Sequence, residues 1–374
     1  MAFKDLKSLH KQISTPALLV SLEQLGKNLQ HMQSHAKTFG VKLRPHIKTH
    51  KSVDFARKQL KHGAKGITVA KLSEAILMAS AGIDDIFIAN QVTQNLKINE
   101  MRRLHEEINL IIGMDHPDQI SLLESRFKDA KSPLKVRIEI DCGFHRCGIT
   151  PNDKSLLTLA SKIKDTLWLQ LDGLFTHAGQ AYSAKSVQEV ALIAEQEAHE
   201  ILTARDQLKH IGIEVADISV GSTPTAERVM QFPGITEARP GNYIFYDGIQ
   251  QKLGVCGFKQ CSLFVLSTVI SQPAPNRVVC DAGSKALNLD KGAHSARTLD
   301  HFGTLLNMPG KITRVSEEHG IIELFENQQI EIGSPILIIP NHACVVANLY
   351  DNYFGVTKDG SVQTIPISAR GLSQ

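Results

Sequence analysis

From about residue 41 to 245 short β-branched apolar runs alternate with longer stretches in which apolar residues recur at helical spacing. Eight such runs follow one another: VKLRPH, GITVA, DIFIAN, NLIIGMD, KVRIEID, LQLDGLFTH, ISVGS and ITEARPG. Between them lie amphipathic segments such as LSEAILMASAG (Leu72 to Gly82), TQNLKINEMRRLHEEI (Thr93 to Ile108) and SVQEVALIAEQEAHEILTARDQL (Ser186 to Leu208). Short apolar runs alternating with stretches of helical period predict parallel βαβ units. Eight such units predict an α/β fold of the (β/α)8 TIM-barrel type. A doubly wound sheet competes with it, but no GxGxxG follows the first strand.

After about residue 250 the helical period disappears. SLFVLSTVIS, RVVCDAG, KITRVSEEHGIIELF, SPILIIP and GSVQTIPIS are separated by Gly, Pro and Asn, which predicts a second, C-terminal all-β domain. The expected division is a barrel over residues 15–248 and a β domain over 249–374. The run TPALLVS, Thr15 to Ser21, makes residues 1–21 a candidate to pair with the β domain.

Length agrees with two domains: 374 residues exceed one ordinary core. Composition is globular, 42% hydrophobic and 21% charged. A net charge of +3, with 41 basic and 38 acidic residues, argues against a dedicated nucleic-acid partner. The start, MAFKDLKSLHKQ, lacks the apolar core of a secretory signal, and no apolar run is long enough to span a membrane. Cys142, Cys147, Cys256, Cys261, Cys280 and Cys344 form no CxxC pair and read as reduced thiols of a cytoplasmic protein.

In a barrel, chemistry belongs at the C-terminal ends of the strands. The first run ends in LRPHIKTHKS. Arg44, His46 and Lys48 share one parity there and are expected to project to one side, with the Lys48 amine facing the barrel mouth. Such an amine can form a Schiff base with a carbonyl cofactor or substrate; the plainer alternative is a solvated basic loop. After the fifth run, DCGFHRCG offers Arg146 between Gly143 and Gly148, either to hold an anionic oxygen or to pair structurally with Asp141. THAGQAY offers His177 and Tyr182, although a lone His is commonly structural. GSTPT (Gly221 to Thr225) and RPGNY, with Gly241 and Asn242, stand where barrels bind phosphate; their backbone N–H groups could converge on an anion, or the sequences could spell ordinary turns. In the β domain PNHAC carries His342 and Cys344. If extended, they point the same way and suit Zn²⁺; the alternative is a buried Cys beside a surface His.

Together these motifs resemble, over nearly the whole chain, the fold type III pyridoxal-phosphate enzymes typified by alanine racemase, and within them the D-serine dehydratase / D-threonine aldolase branch. RPHIKTHK is the most specific motif; GLFTHAGQAY, GSTPT, RPGNY and PNHAC follow in the same order as in that branch. The resemblance implies that Lys48 carries pyridoxal 5'-phosphate covalently and that Lys51 is a neighbour. It implies that Arg146 lies by the cofactor's phenolic oxygen or pyridine edge and His177 by its ring. Tyr182, Ser222, Thr223, Gly241 and Asn242 would hold the phosphate. His342 and Cys344 would bind a divalent metal, expected to be Zn²⁺, near the β-hydroxyl of a small D-amino acid. A homodimer is implied as well.

The implied reaction is a lyase reaction. Dehydration would yield a keto acid and ammonia, as with D-serine or D-3-hydroxyaspartate; the alternative, D-threonine aldolase chemistry, would yield glycine and an aldehyde. HxC at 342–344 is dehydratase-like, whereas IANQV and DCGFHRCG look more aldolase-like. A racemase would need a second base, with Tyr350 and Tyr353 as candidates. A non-catalytic pyridoxal-phosphate carrier on this fold would consist of the barrel alone.

Overall fold

The computed structural model describes residues 3, 5–294 and 298–374. The first strand, β1 (Ala17–Ser21), stands apart from the eight apolar runs. Each of those runs forms one strand: β2 (Lys42–Leu43), β3 (Ile67–Val69), β4 (Asp85–Gln91), β5 (Asn109–Met114), β6 (Leu134–Ile140), β7 (Leu169–Thr176), β8 (Asp217–Val220) and β9 (Glu237–Ala238). They are all parallel, in the order β2-β9-β8-β7-β6-β5-β4-β3. A parallel bridge between His46 and Thr68 joins the exit of β2 to β3 and closes the cylinder, with Lys65 N–H donating to Leu43 O at 2.7 Å and Thr68 N–H to Pro45 O at 2.8 Å.

The strands β2 and β9 are shorter than the runs VKLRPH and ITEARPG suggest. Pro45 and Pro240 stand just past their ends and have no N–H for the ladder. Their carbonyls still serve: Pro240 O accepts from His46 N–H at 3.1 Å.

The predicted amphipathic segments are helices Leu72–Ser80, Asn95–His105 and Val187–His210. The last is capped by Ser186, whose hydroxyl accepts from Glu189 N–H.

The barrel interior is layered. At the floor, where Asp85, Asp217 and Glu237 open their strands, sits a buried ion network. Arg44 pairs with Asp85 and, at 2.8 Å, with Glu237; Arg137 reaches Glu237 at 2.5 Å, Asp172 at 2.7 Å and Asp217 at 3.1 Å. The two guanidiniums hold the Glu237 carboxyl far below the usual carboxylate range, against burial, which would raise it. Removing Glu237 would take one carboxylate partner from each of two buried guanidiniums, a loss of up to about 3–5 kcal/mol. Arg44 is therefore a structural residue at the closed end and not part of a row with Lys48. It shares an inward parity with His46, but one layer lower. Above the network Phe87, Ile111 and Phe175 form an apolar layer. Arg137 stacks on Phe87 from one side of that layer and Arg239 on Phe175 and Phe87 from the other.

The remaining strands are β10 (Leu263–Ala274), β11 (Arg277–Cys280), β12 (Thr304–Leu305), β13 (Gly310–Val315), β14 (Gly320–Leu324), β15 (Pro335–Ile339), β16 (Asn352–Val356) and β17 (Val362–Pro366). With β1 they make a second, nine-stranded sheet. All five residues of β1 are buried, paired antiparallel to β10 (Ala17 with Leu266) and parallel to β16 (Leu19 with Phe354). The strand β15 runs into Pro340 and Asn341, whose carbonyls accept from Gly248 and Ile249 N–H at 3.0 and 3.1 Å. That seam carries the next turn of the β-rich part, Ala343–Ala347, to the barrel mouth. No helix among the described residues is long and apolar enough to cross a membrane.

Candidate active site

At the C-terminal ends of the barrel strands lies a cavity of about 310 Å³. Lys48, Arg146, His177, Tyr182, Ser222, Thr223, Gly241, Asn242 and Cys344 all line it, together with His46 and Arg239. Side chains up to 298 positions apart in sequence (46 to 344) thus face one space, and His342 lies two residues before Cys344 in the chain.

Pro45 ends the strand and the chain turns into a 3₁₀ segment, Ile47–Thr49, so Lys48 leaves the strand before its amine enters the cavity. The Lys48 N–H reaches His46 Nδ1 at 3.4 Å. Burial lowers the Lys48 pKa, and Arg146 and Arg239 lower it further, against a pull from Cys344 and Glu74. Burial, with Lys48 second, keeps His46 and His177 well below the usual imidazole range, so both are neutral at pH 7. Lys51 turns away from the cavity: its ammonium pairs with Glu74 at 3.3 Å and donates to Leu372 O at 3.2 Å.

The DCGFHRCG loop differs from its simplest reading. Asp141 is taken by His145, at 2.8 Å, and by the N–H groups of Gly143 and His145. Arg146 leans instead toward Glu139, at 3.5 Å, and over the Phe144 ring. Its side chain is 45% exposed, which leaves its donors available at the mouth.

In the GSTPT loop the backbone donors do not simply converge on the cavity. Gly221 N–H goes to the buried Glu197 at 2.8 Å and Asn242 N–H to Thr223 Oγ1 at 2.9 Å. Glu197 also accepts from Thr225 Oγ1 at 2.6 Å, so a carboxyl behind the loop fixes its shape. Thr223 and Tyr182 bring their hydroxyls to the cavity, where an anion could meet them. Gly241 has no room for a side chain: a Cβ would lie 2.9 Å from His46 O and 2.9 Å from Thr49 Oγ1.

His342 and Cys344 meet by a route other than strand parity. His342 is the extended N-cap of the helix Ala343–Ala347, and Cys344 lies in its first turn. Imidazole and thiol lie close enough to shift each other's pKa. Burial would raise the thiol pKa, but His342 and Thr49 lower it on balance; Asp290 and Cys344 raise the imidazole to about 10 against burial. The Cys344 Sγ is 3.2 Å from Thr49 Oγ1, one residue from Lys48. Asp247 ties the two parts together, accepting from Ala343 N–H at 2.8 Å and Asn242 Nδ2 at 2.5 Å.

Three groups escaped sequence reasoning. Arg239 is buried, donates to Ser219 Oγ at 2.6 Å and Thr176 O at 2.5 Å, and lines the cavity. It precedes the RPGNY glycine, and a charged residue closing an apolar run was its signal. Asp247 and Asp290 carried none, because the partners that tie them to the β-rich segment, Ala343 and His342, are remote in sequence. Tyr350 and Tyr353 donate their hydroxyls to Ala286 O and His50 O, so neither is a free base in this chain.

The residues fit a pyridine phosphate. Among the described residues the Nε2 of His177 and Oδ1 of Asn242 are buried without a partner, and two guanidiniums give the cavity a positive field suited to phosphate and phenolate. The imidazole–thiol pair suits a divalent metal with open positions.

The family model described as the alanine racemase N-terminal domain matches residues 20–248, and a serine dehydratase domain model matches residues 262–356. The D-threo-3-hydroxyaspartate dehydratase of Delftia sp. (strain HT23) is 32% identical over 368 residues, 94% of this chain and 96% of that protein. Its solved structure matches with a TM-score of 0.89 at 30% identity, over 96% of this chain and 98% of that one. A variant of it has been solved in a metal-free form. The D-threonine aldolase of Arthrobacter sp is 33% identical over 369 residues, 97% of this chain and 94% of that protein. The D-serine dehydratase of Dictyostelium discoideum is 31% identical over 377 residues, 94% of this chain and 95% of that protein.

Proposed function

Because the chain belongs to the alanine racemase-like family of pyridoxal-phosphate-dependent lyases that joins a racemase N-terminal domain to a serine dehydratase domain, we propose that it dehydrates a D-β-hydroxy amino acid of the D-serine or D-3-hydroxyaspartate type to a keto acid and ammonia. The observation that carries this reading is the 3.2 Å contact between Cys344 Sγ and Thr49 Oγ1. It sets an imidazole–thiol donor pair against the turn that presents Lys48, so one substrate can meet both.

Lys48 holds the cofactor through Nζ. Pyridoxal phosphate, when bound, supplies an electron sink for negative charge at Cα. The Lys48 amine, when not joined to the cofactor, would take the Cα proton, and burial lowers its pKa. Thr223, Tyr182, Ser222, Gly241 and Asn242 hold the phosphate. Arg146 faces the phenolic edge and His177 offers its unpartnered Nε2 beside the ring. His342 and Cys344 hold the metal, proposed to be Zn²⁺, which when bound supplies Lewis-acid activation of the β-hydroxyl. The cavity walls would keep bulk water away from the reacting Cα.

Aldol cleavage uses nearly the same residues and is the second reading, favoured by the 33% identity to the Arthrobacter aldolase. Purified, metal-loaded protein given D-threonine separates them. Oxobutyrate with ammonia means dehydration; glycine with acetaldehyde means cleavage and would overturn the first reading. We further propose a cytoplasmic homodimer, checked by light scattering at twice the chain mass.

A further inference from the structure

His342 Nδ1 lies 2.8 Å from Asp290 Oδ2. Asp290 belongs to the β-rich part, 52 residues before the histidine, on a turn that the structure holds from both sides. Asn288 adopts a left-handed backbone, φ 63°, and its Oδ1 accepts from the N–H groups of Leu289 at 2.6 Å and Asp290 at 3.0 Å. That side chain shapes the turn locally. From the far side the buried Asn341 donates its Nδ2 to Asp290 O at 3.0 Å and to His301 O at 2.6 Å. Asn341 is the residue just before His342, so one staple joins the carboxylate's turn to the imidazole's own chain segment.

A carboxylate accepts and never donates when ionised. The Nδ1 facing Asp290 must therefore carry the proton, which leaves Nε2 as the nitrogen available to a metal. We propose that Asp290 is the positioning residue of the donor pair: it selects the His342 tautomer, orients the ring toward Cys344 and so sets the affinity of the site, with Asn341 holding Asp290 in place. The inference rests on the reading of His342 and Cys344 as metal ligands. It adds a residue that touches neither substrate nor cofactor.

The test is Zn²⁺ binding to the cofactor-loaded protein, by competition with a chromophoric chelator, alongside the visible spectrum of the Co²⁺-loaded form. Asp290→Ala should weaken Zn²⁺ binding by about 10–100-fold, the usual cost of losing such a partner. It should shift the Co²⁺ bands while leaving bound pyridoxal phosphate unchanged. Asp290→Asn keeps shape and loses charge, so it should give a smaller loss in the same direction; it also serves if the alanine variant fails to fold. Asn341→Ala should follow Asp290→Ala. Wild-type affinity and wild-type Co²⁺ bands in Asp290→Asn would overturn the proposal, as would loss of cofactor without loss of metal. His342→Ala separates the two levels. If it loses metal and the Asp290 variants do not, only the role of Asp290 fails. If it binds Zn²⁺ like the wild type, the ligand reading itself fails.

Discussion

Thr49 Oγ1 and Cys344 Sγ stand 3.2 Å apart although 295 positions separate them in the chain. The contact joins the turn of Lys48, built by the barrel, to the helix of Cys344, carried by the second sheet. The site is therefore a seam, and each side can be disabled without dismantling the other.

On the barrel side, Lys48→Ala should abolish covalent cofactor attachment. After borohydride reduction, intact-mass measurement should find the pyridoxyl adduct on the wild type and none on the variant. Turnover should fall by about 10³-fold or more, given what a positioned base contributes. An adduct that persists at Lys51 would move the anchor.

On the other side, Cys344→Ala should retain the cofactor and lose turnover together with bound metal. Metal content by atomic absorption and cofactor content after alkaline release measure the two independently. Unchanged turnover would remove the pair from the mechanism.

Behind the GSTPT loop, Glu197→Ala deprives Gly221 N–H and Thr225 Oγ1 of their acceptor. An unsatisfied buried donor costs about 1–3 kcal/mol. The dissociation constant for pyridoxal phosphate should rise about tenfold or more, read by fluorescence titration. The Lys48 adduct should still form at saturating cofactor. Wild-type affinity would mean that the loop holds its shape without Glu197.

Stability should fall as pH drops from about 6.5 to 4. Burial holds His50 near 4, against the pull of Gln59 Oε1 at 3.1 Å; its Nδ1 accepts from Ser52 N–H at 3.1 Å. A depressed folded pKa means that the unfolded chain takes the proton first, so the contribution is complete above the ordinary imidazole value and is lost on going down through the folded one. His50 alone accounts for up to about 3 kcal/mol across that window; His46 and His177 act in the same direction. Urea unfolding at pH 7 and pH 4.5 should show the drop, and His50→Gln should flatten part of it. A stability that rises toward pH 4.5 would contradict the burial of neutral imidazoles.

The order and number of barrel strands were readable in the chain because each is a contiguous apolar run and the pleat imposes its period locally. The candidate residues at the cavity were readable for a related reason: a parallel barrel gathers the C-terminal ends of all its strands at one mouth, so unusual polar residues at run ends share a destination. Local pattern could not supply the partners. Parity put Arg44 on the same inward side as His46, but only the height of Asp85 and Glu237 in the barrel assigned it to the floor. Arg146 had Asp141 nearby in sequence and leaned toward Glu139 in space, because Asp141 was already taken by the turn that it caps. His342 and Cys344 were expected to meet as neighbours on a strand; a helix N-terminus brings them together, and Asp290, 52 residues earlier, orients the imidazole. Hydrophobic period is a property of neighbours along the chain, whereas hydrogen bonds and ion pairs at the seam depend on how two sheets lie against each other, and that only the tertiary structure decided.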